Sequence, residues 1–214
     1  MPSAGPSVGV DGRASLLAIL QQARDRGFLG PGPLIDHLDH TSGFAEQVSD
    51  PPRRALDLGS GAGVPGLVLA VQHWPDARWV LLDANQRRAA FLTSAVEALG
   101  VGDRVMVRRG RAEEAGRTPD LRGGFDLVVS RSFGPPAVTA ECAAPLLGVG
   151  GQLVVSEPPE RPAGRWDEAG MAALGLEAEG ERPTSAHFAR FRQLWPCPAR
   201  FPRRNGVPAK RPLF

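Results

Sequence analysis

Asp57 closes the apolar run Ala55–Leu58, and Gly59, Gly61 and Gly63 follow at alternate positions before Pro65 and Gly66. Glycines spaced this way let the backbone turn tightly and approach a ligand. A strand that ends in such a turn and leads into a helix is how a parallel sheet meets a nucleotide-like molecule. Pro65 suits the first position of that helix, where an N–H would have no partner. Asp83 ends the next apolar run, Trp79–Leu82, and an acid there can accept hydrogen bonds from both ribose hydroxyls. Gly61–Gly66 also fits the dinucleotide pattern G-x-G-x-x-G, which alone is a weak signal. Asp57 separates the two ligands. Its carboxylate would repel a pyrophosphate resting on the helix N-terminus. It suits a cationic ligand that carries an ammonium and a sulfonium, which is S-adenosylmethionine. The turn therefore offers Asp57, Gly59, Gly61 and Asp83 as cofactor contacts.

Other reactive side chains carry less. Ser130-Arg131-Ser132-Phe133 follows the fourth apolar run, with no Asn-Pro-Pro-Tyr-like segment to hold an exocyclic amine. Pro196-Cys197 lies beyond the last strand-like segment, which marks Cys197 as a structural cysteine. His37 and His40 are three apart on a helix face, which allows two metal ligands, but no third is evident and no metal is expected. Cys142 and Cys197 have neither metal-site nor disulfide spacing, as in a reducing cytoplasm. From Arg190 to Phe214 there are seven basic residues and no acid, whereas residues 1–50 hold six acids and three basic residues. Either an anionic partner or a solvated tail accounts for this asymmetry.

The elements that must position these groups alternate. With 214 residues and 42% hydrophobic content, the chain can form one α/β domain with extra elements. The net charge of +2 does not itself point to nucleic acid, and no segment has the ~18 apolar residues of a membrane span. Residues 1–13 read as a disordered leader and 14–50 as a helical extension, with Gly27 stopping its first helix. From residue 51 to 214 runs the main domain. Strands are expected at 54–58, 79–83, 104–109, 125–130 and 152–156, and helices at 65–73, 85–99 and 135–147. Gly100 and Pro135 punctuate the latter two helices. This rhythm implies a mostly parallel sheet covered on both faces, with the N-terminal helices near its ligand edge. After Glu157 a Pro-rich loop leads to a short helix near 167–174, and residues 186–194 alternate as a half-exposed strand of a C-terminal antiparallel hairpin.

Five segments carry a resemblance. They are Asp57–Gly66; Leu82-Asp83 with Arg87-Arg88 and Phe91-Leu92; Arg111–Glu114; Phe125–Arg131; and Phe201–Leu213 with its Pro-Arg-Arg-Asn-Gly-Val-Pro-Ala-Lys core. Together they resemble the bacterial RsmG (GidB) family. The resemblance implies a class I, Rossmann-like methyltransferase fold and methylation of N7 of a guanosine in 16S ribosomal RNA by S-adenosylmethionine, in the cytoplasm. It implies that Gly59 and Val64 line the methionine end of the cofactor, that Asp83 holds the ribose, and that Ala112 and Glu113 form the adenine side. Arg131 is implied as the site arginine and the candidate catalytic residue. The basic residues Arg200, Arg203, Arg204, Lys210 and Arg211 are then expected to continue Arg131 into one RNA-binding surface for ribosomal RNA or the small subunit. Two segments depart from the family. Leu34–Glu46 lacks its usual Asn-rich patch, and Glu157 stands where the family tends to place a lysine. A diverged methyltransferase acting on a small molecule or another RNA, or a relative that only binds the cofactor, is the alternative.

Overall fold

In the computed structural model, residues 10–160, 162, 164–180 and 182–214 are described. Helices α1 (Val10–Asp25) and α2 (Leu34–Glu46) precede the alternating region. Helix α1 takes in residues 10–13 of the expected leader, while residues 1–9 lie outside the described residues. It stops where Gly27 adopts φ 71° and donates its N–H to the Arg24 carbonyl.

The alternating region comprises β1 (Arg54–Leu58), α3 (Gly66–Gln72), β2 (Arg78–Asp83), α4 (Gln86–Ala98), β3 (Val105–Arg109), α5 (Ala112–Ala115), β4 (Phe125–Ser130), α6 (Pro136–Ala143) and β5 (Leu147–Glu157). Then come α7 (Glu168–Ala173), the strands β6 (Leu176–Glu179) and β7 (His187–Gln193), and α8 (Val207–Lys210). The seven strands form one sheet in the order β3-β2-β1-β4-β5-β7-β6. The first five are parallel, and β7 runs antiparallel between β5 and β6. The expected hairpin is therefore present, and its second strand, not its first, joins the main sheet.

Alternation along the strands builds two cores. Trp79 and Leu81 point to the face covered by α1–α4, together with Leu20, Phe44 and Leu67. Val80 and Leu82 point to the other face, with Ala140, Met171 and Phe191. Burial of such side chains contributes roughly 1.5–3 kcal/mol each before entropy is counted.

Helix boundaries follow the prolines. Pro65 is the N-cap of α3, one residue earlier than the first helical position expected for it. Pro136 takes the first position of α6, and Pro135 caps it. The segment expected as helix to residue 147 tightens into a 3-10 turn at Ala144–Leu146, since Pro145 has no N–H for the α-helical ladder. Among the described residues, no helix is long and apolar enough to cross a membrane.

Candidate functional site

The strand order reverses direction between β1 and β4, and ligands of open α/β sheets sit at the carboxyl ends of the strands at such a point. A cavity of about 350 Å³ opens there, within the size range of small-molecule sites, roughly 300–1,000 Å³. The loop after β1 supplies Gly59, Gly61 and Val64, the residue after β4 supplies Arg131, and α2 supplies His37. Phe28 and its neighbours, which link α1 to α2, close one side, so the N-terminal helices do cover the ligand edge.

The loop is held from beneath. Gly59 and Ser60 donate their N–H groups to the Leu82 carbonyl at 2.9 and 3.0 Å. Gly59 has φ 78°, and a Cβ there would stand 2.7 Å from the Phe133 ring. Asp83 is buried behind the loop and outside the cavity wall: one carboxylate oxygen accepts from Gly61 N–H and the other from Asn85 N–H, each at 2.8 Å. A carboxylate has about four acceptor positions, so Asp83 keeps capacity for further hydroxyl donors.

Asp57 does something different from what the sequence suggests. It is fully buried, does not line the cavity, and accepts the Gly66 N–H at 2.9 Å. A Cβ on Gly66 would lie 2.4 Å from the Asp57 Cβ, so glycine is required for this strand–helix contact. Burial pushes the Asp57 carboxyl up to about 7. The residue pins β1 to the start of α3 and shapes the loop, and its half-neutral carboxyl does not select a cationic ligand by direct contact.

Arg131 and His37 meet in the cavity wall, with Arg131 Nη2 3.1 Å from His37 Nδ1. Burial, and next the Arg131 charge, lower the His37 pKa below its usual 6.5. The imidazole is thus neutral at pH 7, Nδ1 accepts from the guanidinium, and Nε2 carries the proton. Arg131 Nη1 is buried without a hydrogen-bond partner, and His37 Nε2 makes no well-formed bond, although the Gly30 backbone beside His37 acts to raise its pKa. Orphaned buried donors cost about 1–3 kcal/mol each, a cost that an acceptor group on a ligand would remove. His37 sits 94 residues from Arg131, and its part in the site has no local signal in the sequence. His40 bonds Ser156 at 2.9 Å rather than sharing a site with His37. Among the described residues, no group of three His, Cys, Asp or Glu is placed to hold a metal.

Ala112 and Glu113 lie at the start of α5, both buried and outside the cavity wall. Glu113 accepts from the Gly206 N–H at 2.8 Å and from Arg111 at 3.1 Å. Burial acts to raise its pKa, but these donors outweigh it and hold the carboxyl below its ordinary range. Glu113 thereby ties the C-terminal segment to the sheet edge.

None of residues 200–214 lines the cavity. Arg203 turns inward: its Nε and Nη2 reach the fully buried Glu141 carboxylate at 2.9 and 2.6 Å, and its backbone N–H adds a third bond at 2.8 Å. The paired carboxylate raises the Arg203 pKa. Arg203 is therefore committed to a structural ion pair, with its side chain 27% exposed. Arg200 stacks over the Phe201 ring at 4.9 Å, and Arg204, Lys210 and Arg211 are exposed. Cys197 is buried, and burial pushes its thiol up to about 11, which suits packing rather than nucleophilic attack.

The family described as GidB, rRNA small subunit methyltransferase G, matches residues 32–158. The ribosomal RNA small subunit methyltransferase G of Prochlorococcus marinus (strain MIT 9313) is 41% identical over 176 residues, covering 78% of this chain and 70% of that protein. Its counterpart from Moorella thermoacetica is 36% identical over 175 residues, covering 76% and 70%. A solved methyltransferase from Geobacter sulfurreducens superposes with a TM-score of 0.59 over 91% of both chains at 15% identity, which speaks to the fold alone.

Proposed function

The chain belongs to the rRNA small subunit methyltransferase G (GidB) family, and from that premise we propose that it methylates N7 of a guanosine in small-subunit ribosomal RNA, with S-adenosylmethionine bound at the β1–β4 switch point. One observation carries the assignment of the site: the family match over residues 32–158 contains His37, the 59–66 loop and Arg131, which the fold brings to one cavity. The cavity's size and the orphaned Arg131 donor fit such a cofactor. Gly59, Gly61 and Val64 would cradle its methionine end, Arg131 Nη1 and His37 Nε2–H would meet its carboxylate, and Asp83 would receive ribose hydroxyls. Ala112 and Glu113 shape the adenine side, where Glu113 acts through the segment it anchors.

When bound, S-adenosylmethionine supplies a methyl group on a sulfonium. Guanine N7 presents a lone pair and no proton, so the protein has no proton to remove. Its task is to align acceptor and donor and to exclude water. Arg131 is the group that touches the reacting assembly, and His37 fixes the direction of its guanidinium.

The test is incubation of purified protein with methyl-labelled S-adenosylmethionine and small-subunit RNA, followed by nucleoside mass spectrometry. N7-methylguanosine is the expected product. Label found only on small molecules, with none on RNA, would replace this reading by the small-molecule alternative.

A further inference from the structure

A second groove runs beside the cavity, between α1 and α4. It encloses about 400 Å³, and Arg26, Phe28, Arg87 and Phe91 line it with no acid in the wall. Phe28 belongs to both walls, and Arg87 lines the groove while the adjacent Arg88 lines the cavity. The two spaces are therefore neighbours with Phe28 as a common wall.

Two arginines lie over aromatic rings in this groove, the half-buried Phe28 and the buried Phe91. The Arg26 guanidinium lies 5.3 Å from the centre of the Phe91 ring, and that of Arg87 lies 5.8 Å from the centre of Phe28. Both arginines are exposed. The start of α4 fixes them in place, since Asn85 caps the helix by accepting the N–H groups of Arg87 and Arg88 at 2.9 and 3.1 Å. Two arginines in the first turn oppose the helix dipole, which favours acids there. That placement costs stability on its own and is relieved by an anion.

We propose that this groove binds the single-stranded RNA segment next to the target guanosine, with phosphates on the exposed Arg26 and Arg87 and a base against the half-buried Phe28. The assignment rests on the RNA methyltransferase reading above. Single strands are held in this manner, by a cationic track with aromatic platforms at intervals. The shared Phe28 wall gives the strand a direction: from the groove, past Phe28 and Arg88, to the methyl donor.

The test uses the Arg26→Gln, Arg87→Gln double variant of the full chain. The probe is a fluorescent single-stranded oligoribonucleotide of about ten nucleotides with one guanosine. We expect its Kd to rise at least tenfold and the log–log salt slope to fall by about 1.4, for two phosphates at about 0.7 each. Cofactor affinity by calorimetry stays within twofold, which confirms folding. Lysines at both positions should restore most of the salt slope but not the full affinity. If the wild-type protein methylates RNA and the glutamine variant binds the probe equally well, the groove assignment falls and the enzyme reading stands. If the variant keeps the probe but loses affinity for intact small subunits, the groove meets protein and the proposal is overturned. If the wild-type protein transfers no methyl to RNA, both readings fall together.

Discussion

Arg203→Ala should lower the stability of the protein far more than loss of a surface arginine does. The substitution removes two charge-assisted bonds, at 2.9 and 2.6 Å, and leaves Glu141 fully buried with only the residue-203 N–H as a partner. Breaking a buried pair in this way costs about 3–5 kcal/mol, whereas an exposed pair is worth about 1 kcal/mol or less. For a chain of this size each kcal/mol moves Tm by roughly 2–4 °C, so the expected fall is about 6–20 °C. Urea and thermal denaturation followed by circular dichroism measure it, with Arg204→Ala as the control, expected within about 0.5 kcal/mol of wild type. Replacing both partners by apolar residues, Arg203→Met with Glu141→Leu, should recover most of the loss, because no buried charge is then left alone. If Arg203→Ala stays within 1 kcal/mol of wild type, or Arg204→Ala costs as much, the inward ion pair does not hold the C-terminal segment.

Three further outcomes follow from the site. Asp57 has a folded pKa of about 7, raised from 3.8, so its contribution favours the folded state in acid and is lost as pH rises from about 4 to 7; the change corresponds to about 4 kcal/mol. His37, His73 and His40 have lowered folded pKa values, with His40 at about 4, so their contributions run the other way and are lost as pH falls from about 6.5. Asp57→Asn should therefore make stability fall more steeply between pH 6.5 and 4 than in wild type, as urea midpoints across that range would reveal; an unchanged slope would contradict the buried-carboxyl account. His37→Ala should weaken S-adenosylmethionine binding about tenfold by calorimetry by freeing the Arg131 guanidinium, and His37→Asn should restore part of it; equal affinities for all three proteins would remove His37 from the site. Gly66→Ala should destabilise the fold by about 1–3 kcal/mol through its clash with Asp57 and reduce cofactor binding with it, which paired melting and binding curves can check.

The sheet was legible because each parallel strand is a short apolar run bounded by turn residues, and the switch point follows from that alternation. Expected and observed ends of β1, β4 and β7 agree within a residue. What escaped the sequence was pairing at a distance. Nothing near Arg203 indicates that Glu141, 62 residues earlier, will neutralise it. Charge density alone therefore gave no sign that one of these cations is tied to a buried carboxylate. Asp57 was legible as special by its place before the glycines, but its direction was not, since the Gly66 N–H that captures it depends on where α3 begins. The same limit applies to His37 on α2, whose value comes from an arginine just past the end of β4.

The insertion of β7 between β5 and β6 has a consequence for a growing polypeptide. A chain made only to residue 160 already carries His37, the glycine loop and Arg131. Yet the Gln152–Glu157 part of its β5 would present a free edge until residues 187–192 arrive to pair with it. That edge is the apolar stretch Leu153-Val154-Val155, a template for pairing with other chains. Truncated or slowly completed molecules should consequently clump rather than remain as small working enzymes, and the last quarter of the chain acts as a self-supplied cover for the first three.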